Sequence, residues 1–148
     1  MQKRELTYRK WLLNQMNGRW LVAIHVENHL CPGVPDLSYV IVGAGHETGW
    51  LELKVALGRA NNHGIDLKIE PSQHHWMLRY ACRVPTHFLI NYRGEHFLIN
   101  GMHHRRLGQP LNIDDLRRVA FESYTDDTLS HDLTKNLSSL TMRIANGY

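Results

Sequence analysis

Between Glu27 and Lys54 the chain carries two apolar runs of strand length separated by a short glycine-rich interval, a pattern that reads as a β-hairpin. The first run, residues 37–42 (LSYVIV), is rich in β-branched side chains. The second, residues 50–55 (WLELKV), alternates: Leu51, Leu53 and Val55 fall on one face, Glu52 and Lys54 on the other. GAGHET between them, with two glycines and polar residues, reads as the loop. A hairpin centred on Gly45 sets Asp36 opposite Lys54 and Ser38 opposite Glu52. Directly opposed residues share a face, so Asp36, Glu52 and Lys54 converge at one end of the sheet. A slip of one residue would send Asp36 to the other face. Pro35 suits the first position of a strand, where a missing N–H is tolerated.

Two carboxylates and a lysine gathered this way suit a magnesium ion held against a phosphodiester. Magnesium takes hard oxygen ligands, commonly one or two carboxylates with waters and substrate phosphate. Asp36 and Glu52 supply the carboxylates, and the main-chain carbonyl of Leu53 a third oxygen. The ion lowers the pKa of bound water and screens the phosphate. Lys54, a compact mobile charge, orients the attacking water or stabilises charge growing on the phosphate oxygens. The plainer reading is a solvated strand edge, and Glu-Leu-Lys alone is a weak signal.

A chain of 148 residues fits one domain and can bury a sizeable core. No apolar run approaches membrane-spanning length, and MQKRELTYRK has no apolar signal segment. Cys31 and Cys82 form no metal-type pair and point to a reducing, cytoplasmic setting; a disulfide between them is not needed. The net charge of +3 is a mild basic bias, compatible with a polyanion but not diagnostic of one. Eleven histidines add charge below neutral pH.

Residues 3–17 read as a first helix, with Leu6, Trp11 or Lys10, Leu13 and Met16 in helical spacing and Asn17-Gly18 as the stop. Glu5 in its first turn is either a partner for the helix dipole or a distal acid aimed at the ion. Residues 20–26 (WLVAIHV) read as a strand buried on both faces. Its end, Glu27, is a polar strand terminus or a third acid that positions a water or second ion. Residues 58–69 read as a loop, in which Arg59 and Lys68 are candidate DNA-backbone contacts. Pro71-Ser72-Gln73 opens a second helix with Ser72 as N-cap, and Gln73, Trp76, Met77, Tyr80, Ala81 and Val84 form its inward stripe. Gln73 is then placed to bond an ion-bound water or the phosphate, with Arg79 and Arg83 on the other side and Arg79 a candidate DNA-backbone contact. Residues 86–92 and 95–100 read as a hairpin around Arg93-Gly94. Met102-His103-His104-Arg105-Arg106 is a basic loop, solvated or in contact with phosphate through Arg105 and Arg106. Asn112 caps a helix over IDDLRRVAFESY. A final helix over 127–146 carries the stripe Leu129, Leu133, Leu137, Leu140, Ile144, which packs on the domain or on a second copy.

The order helix, strand, PD-strand, ExK-strand, Q-helix, strand resembles the PD-(D/E)XK nuclease superfamily, and in particular virus-type replication-repair nucleases and phage Holliday-junction resolvases. The matching residues are Glu27-Asn28, Gly33-Val34-Pro35-Asp36, Gly49 to Lys54 and Gln73. The resemblance spans about the first 100 residues and implies an α/β fold with a restriction-endonuclease-like αβββαβ core and a mixed central sheet flanked by helices; the C-terminal third, not covered by it, reads as a helical extension. The resemblance implies a single nuclease domain over 1–148, with its core at about 3–100 and its extension at about 111–146. It further implies a Mg2+-dependent endodeoxyribonuclease, Mn2+ substituting, that acts on DNA, branched junctions included, as a homodimer in the cytoplasm of a bacterial or phage-infected cell. Asp36 and Glu52 match the metal ligands, Lys54 the catalytic lysine and Gln73 the later glutamine. Acids in the first helix and after the first strand in related resolvases make Glu5 and Glu27 candidates. The link from Lys54 to Gln73 is loop-rich, and His74-His75 follows the glutamine, both departures from the usual pattern.

Two other functions compete. One is a nuclease fold kept for DNA or protein contact without turnover, although a pure binder gains nothing from carboxylates facing phosphate. The other is a zinc protein built on His74, His75, His103, His104 or the cysteines. Adjacent histidines on a helix point about 100° apart, which is not the i, i+4 spacing zinc sites favour.

Overall fold

The structure, a computed structural model, describes residues 3–18, 21–27, 30–42, 47–58, 64–129 and 131–137. Helix α1 (Lys3–Met16) leads into strands β1 (Leu21–His25), β2 (Leu37–Ile41) and β3 (Glu47–Val55). Two short strands, β4 (Leu57–Gly58) and β5 (Ile65–Asp66), precede helix α2 (Pro71–Tyr80) and the pair β6 (Thr86–Tyr92) and β7 (Glu95–Asn100). A 3-10 turn (Gly101–His103), helices α3 (His104–Leu107) and α4 (Ile113–Val119) and strand β8 (Glu122–Thr125) follow. The chain is helical again at 131–137.

The fold is α/β: a six-stranded mixed sheet, ordered β1-β2-β3-β6-β7-β8, with helices on both faces. Among the described strands only β3 and β6 run parallel, because α2 carries the chain back across the sheet between them. Alternation along the strands feeds two cores. Leu51, Leu53, Leu89 and Leu98 pack under Leu12 of α1 and under Leu129, Leu133 and Leu137. On the other face Phe88, Ile90, Phe97 and Ile99 pack with Met77 of α2 and Leu116 of α4. The described part of the last leucine stripe therefore covers the domain itself, while Leu140 and Ile144 lie outside the described residues.

Several expectations need correction. In the β2–β3 hairpin Leu37 pairs with Leu51 and Ser38 with Trp50, so the ladder sets Asp36 level with Glu52, not Lys54. The shift is two residues, so every side chain keeps its face. β3 starts at Glu47, because ladder bonds to β2 draw Glu47 and Thr48 out of the expected loop and add Gly49 ahead of the expected strand. Strand β1 is not buried on both faces; it is an edge strand, with Val22 and Ile24 exposed. In α1 the buried stripe is Tyr8, Leu12 and Met16, and Leu6 faces out. The expected loop at 58–69 contributes to β4 and β5 and sends Ile65 and Leu67 into the core.

Helix α2 is capped by Glu70, not Ser72: Pro71 takes the first helical position and Gln73 Oε1 accepts the Glu70 backbone N–H at 2.9 Å. The expected basic loop at 102–106 is helical, and His104 is buried. The helix capped by Asn112 stops at Val119, and Glu122-Ser123-Tyr124 joins the sheet as part of β8, so the C-terminal third is not purely helical. The Arg93-Gly94 turn forms as expected, with both residues at positive φ. Cys31 and Cys82 are exposed and not bonded to each other. No helix among the described residues is long and apolar enough to cross a membrane.

Gly49 lies opposite Tyr39, whose ring is fully buried over it. A Cβ on Gly49 would overlap the Tyr39 phenol and press on the Pro85 carbonyl at 2.8 Å. Gly49→Ala is expected to cost about 1–3 kcal/mol by overpacking, read as a lower urea midpoint.

Candidate active site

β2 begins at Leu37, so the β2 side of β3 is open beyond Leu51, and a cleft of about 380 Å³ forms at this notch. Asp36 sits at its edge. The Val26 N–H donates to the Asp36 carbonyl at 2.9 Å, and the Leu53 N–H donates to Asp36 Oδ2 at 3.0 Å. The N–H and C=O of one strand residue point to the same edge, so the Leu53 carbonyl also faces the Asp36 side. Glu52 and Lys54, two residues apart, share the α2 face, opposite the face that Leu51 and Leu53 bury.

Glu52 and Lys54 are both buried, and Lys54 Nζ lies 3.1 Å from Glu52 Oε1. Gln73 Nε2 donates to the same oxygen. Because Gln73 Oε1 is occupied by the Glu70 N–H, the amide has only one orientation left, with its NH2 toward Glu52. Glu52 Oε2 is buried and has no hydrogen-bond partner. Burial, then the neighbouring Asp36, raise the Glu52 pKa from 4.5 to about 8, with Lys54 opposing and Glu5 adding slightly. Without a further cation, Glu52 is therefore mostly protonated at neutral pH.

Glu5, Lys68 and Glu70 complete the wall. The cleft thus gathers four carboxylic acids, Glu5, Asp36, Glu52 and Glu70, against two lysines, Lys54 and Lys68. A bare phosphate would meet net negative charge there, whereas a divalent cation would offset it and occupy the orphaned Glu52 oxygen. The donor set of two carboxylates and one carbonyl fits magnesium, which leaves its other positions to water and phosphate. Among the described residues no group of three or more His, Cys, Asp or Glu side chains forms a metal cage.

Of the residues singled out from sequence, Asp36, Glu52, Leu53, Lys54, Gln73, Glu5 and Lys68 meet at this cleft. Glu5 reaches it because it lies three and seven residues ahead of Tyr8 and Leu12, on the buried stripe of α1. Glu27 does not line it: the carboxylate is exposed at the end of β1, 3.9 Å from His25. Arg79 lies apart, with its guanidinium over the Tyr80 ring at 5.4 Å. Arg105 is exposed away from the cleft, and Arg106 is bound to Asp115 at 3.0 Å. Arg59 and Asn28 lie outside the described residues. His74 meets His104, Nδ1 to Nδ1 at 3.0 Å, and His75 and His103 are exposed.

Glu70 is the site residue the sequence reading missed; its signal was an acid directly before Pro71, where a helix starts. Gly33, part of the Gly33-Val34-Pro35-Asp36 motif, holds the turn in place. It has φ +90, and a Cβ there would run into the Ser72 carbonyl, so the turn before Asp36 seats directly on the first turn of α2. No protein-family model matches the chain, and no curated protein matches it at a significant level.

Proposed function

We propose that the chain is a Mg2+-dependent endodeoxyribonuclease of the PD-(D/E)XK type that hydrolyses DNA phosphodiester bonds, with branched DNA such as Holliday junctions as a substrate. The observation that carries the reading is the Glu52 carboxylate. One oxygen is held by Lys54 and Gln73, and the other is buried, unpartnered and level with Asp36. The order α1-β1-β2-β3-α2-β6, with β3 and β6 parallel, supports a restriction-endonuclease-like core.

Asp36, Glu52 and the Leu53 carbonyl would hold the magnesium, with manganese as a substitute. When bound, the ion supplies a lowered water pKa and a screened phosphate charge. Lys54 Nζ orients the incoming water and stabilises the negative charge that grows on the phosphate oxygens as a P–O ester bond breaks. Gln73 fixes the Glu52 carboxylate so that its second oxygen faces the cleft. Asp36 is fixed likewise by the Leu53 N–H. Lys68, exposed at the wall, neutralises a neighbouring backbone phosphate.

The test is cleavage of a four-way junction, a linear duplex, a nicked or flapped duplex and single strands, each with magnesium and with EDTA. Cleavage of at least one substrate is expected with magnesium and none with EDTA. Binding of all of them with cleavage of none would favour a nuclease-like fold that binds DNA without turnover. A homodimer would bring two such clefts to two strands, and light scattering at twice the monomer mass is the expected result.

A further inference from the structure

A second groove, of about 700 Å³, lies on the α1 side of the sheet, bordered by Arg4, Tyr8, Trp11, Asn91, His96 and Asp126. It meets the cleft at the first turn of α1, where Glu5 lines the cleft and Arg4 the groove; on β3, Lys54 faces the cleft and Val55 faces the groove from the opposite side of the sheet.

The inner wall of this groove is aromatic and rigid. The rings of Tyr8, Trp11 and His96 stack, with centroids 6.0, 5.5 and 5.4 Å apart and planes inclined by 20°, 21° and 12°. A directional chain of hydrogen bonds locks them. The Asp126 carboxylate can only accept, so His96 Nε2–H donates to it at 2.6 Å, and His96 Nδ1 accepts from the Tyr8 phenol at 2.8 Å. Tyr8 and His96 are buried behind the half-buried Trp11. Polar groups stand around the ring cluster: the Asn91 amide, the exposed Asp126 carboxylate and the exposed Arg4 guanidinium.

This chemistry selects a ligand. A flat, sequence-tolerant aromatic platform suits a nucleobase. A carboxylate inside the groove repels phosphate but accepts from an exocyclic amine of a base. Arg4 provides a cation for the backbone beside it.

We propose that the groove is a base-binding pocket that takes an unpaired nucleobase, stacked on Trp11, from the DNA bound by this chain. The substrate class is then DNA that carries unpaired nucleotides. The identity of the ligand rests on the nuclease reading above, but its test does not use cleavage.

The experiment measures fluorescence anisotropy of the full chain in EDTA with a blunt duplex, the same duplex carrying four unpaired nucleotides, and that extension made abasic. The extension is expected to tighten binding by roughly 5- to 100-fold, and the abasic form to lose that gain. Trp11→Ala should lose the same gain while leaving the blunt duplex unchanged, and should add nothing to the abasic loss. Trp11→Phe, which keeps a ring, should retain most of it. Equal affinity for blunt, extended and abasic DNA overturns the proposal, as does a Trp11→Ala effect equal on blunt and extended duplexes. If Trp11→Ala does not fold, the abasic comparison on the unmodified chain decides. A preference for the extension without cleavage of any substrate would sink the nuclease reading and leave the pocket standing.

Discussion

Asp36→Asn is expected to lower magnesium-dependent cleavage by about 10³-fold or more, while the fold and DNA binding persist. The substitution keeps the oxygen that accepts the Leu53 N–H, so the hairpin end loses no hydrogen bond. It removes the charge that an ion needs from its second carboxylate. Lys54→Met should fall by about 10²–10³-fold, through loss of one stabilising cation at the phosphate. Single-turnover cleavage, a thermal melt and anisotropy on the same samples separate these effects. Retained cleavage by Asp36→Asn would remove the basis of the nuclease reading.

The second large effect is in stability. In the ion-free protein the Glu52 pKa is about 8, above its ordinary 4.5. The folded state therefore binds a proton that the unfolded state releases, and stability falls as pH rises between these values. His87 acts in the opposite sense at lower pH. Burial lowers its pKa from 6.5 to about 4, so the unfolded state holds the extra proton there and stability rises with pH over that window. Below pH 6.5 the two slopes offset each other; above it only Glu52 remains. Between pH 6.5 and 8 the ion-free chain should lose about 2 kcal/mol, at 1.36 kcal/mol per unit. Glu52→Gln, which mimics the protonated acid, should be flat in that range. Asp36→Asn, by removing the second cause of the shift, should move the decline to lower pH. Urea midpoints in EDTA at several pH values measure all three. A chain whose stability does not fall above pH 6.5 would show that Glu52 is not held protonated.

The convergence of Asp36, Glu52 and Lys54 was legible because strand alternation fixes a face without fixing a register. The hairpin is two residues from the expected pairing, yet the side chains still meet. Helix α1 was located correctly, but its inward face was misread for a physical reason. Arg9 is buried and its guanidinium bonds His25, and Tyr8 bonds His96, a residue 88 positions away. Polar residues look like surface until a distant partner satisfies them. Strand β8 was hidden in the same way: Glu122 and Ser123 look polar, and only pairing with Leu98 and Phe97 makes them strand. Arg79, Arg105 and Arg106 read as phosphate contacts because they are basic, but a ring and a carboxylate already engage two of them.

The single parallel pairing among the described strands divides the sheet into two three-stranded antiparallel halves, or meanders in strand order, β1-β2-β3 and β6-β7-β8. The β2–β3 and β6–β7 pairs join strands close in sequence, whereas β3 and β6 meet only after the chain from Val55 to Thr86 closes on itself, and β8 reaches β7 only after α3 and α4. Asp36, Glu52 and Lys54 all belong to the first meander, and Gln73 to the segment that bridges the halves. Strand docking across that seam is thus a slow, non-local event, and the glutamine that steadies Glu52 arrives with it. A half-built chain carries the acidic cluster but not the clamp that organises it.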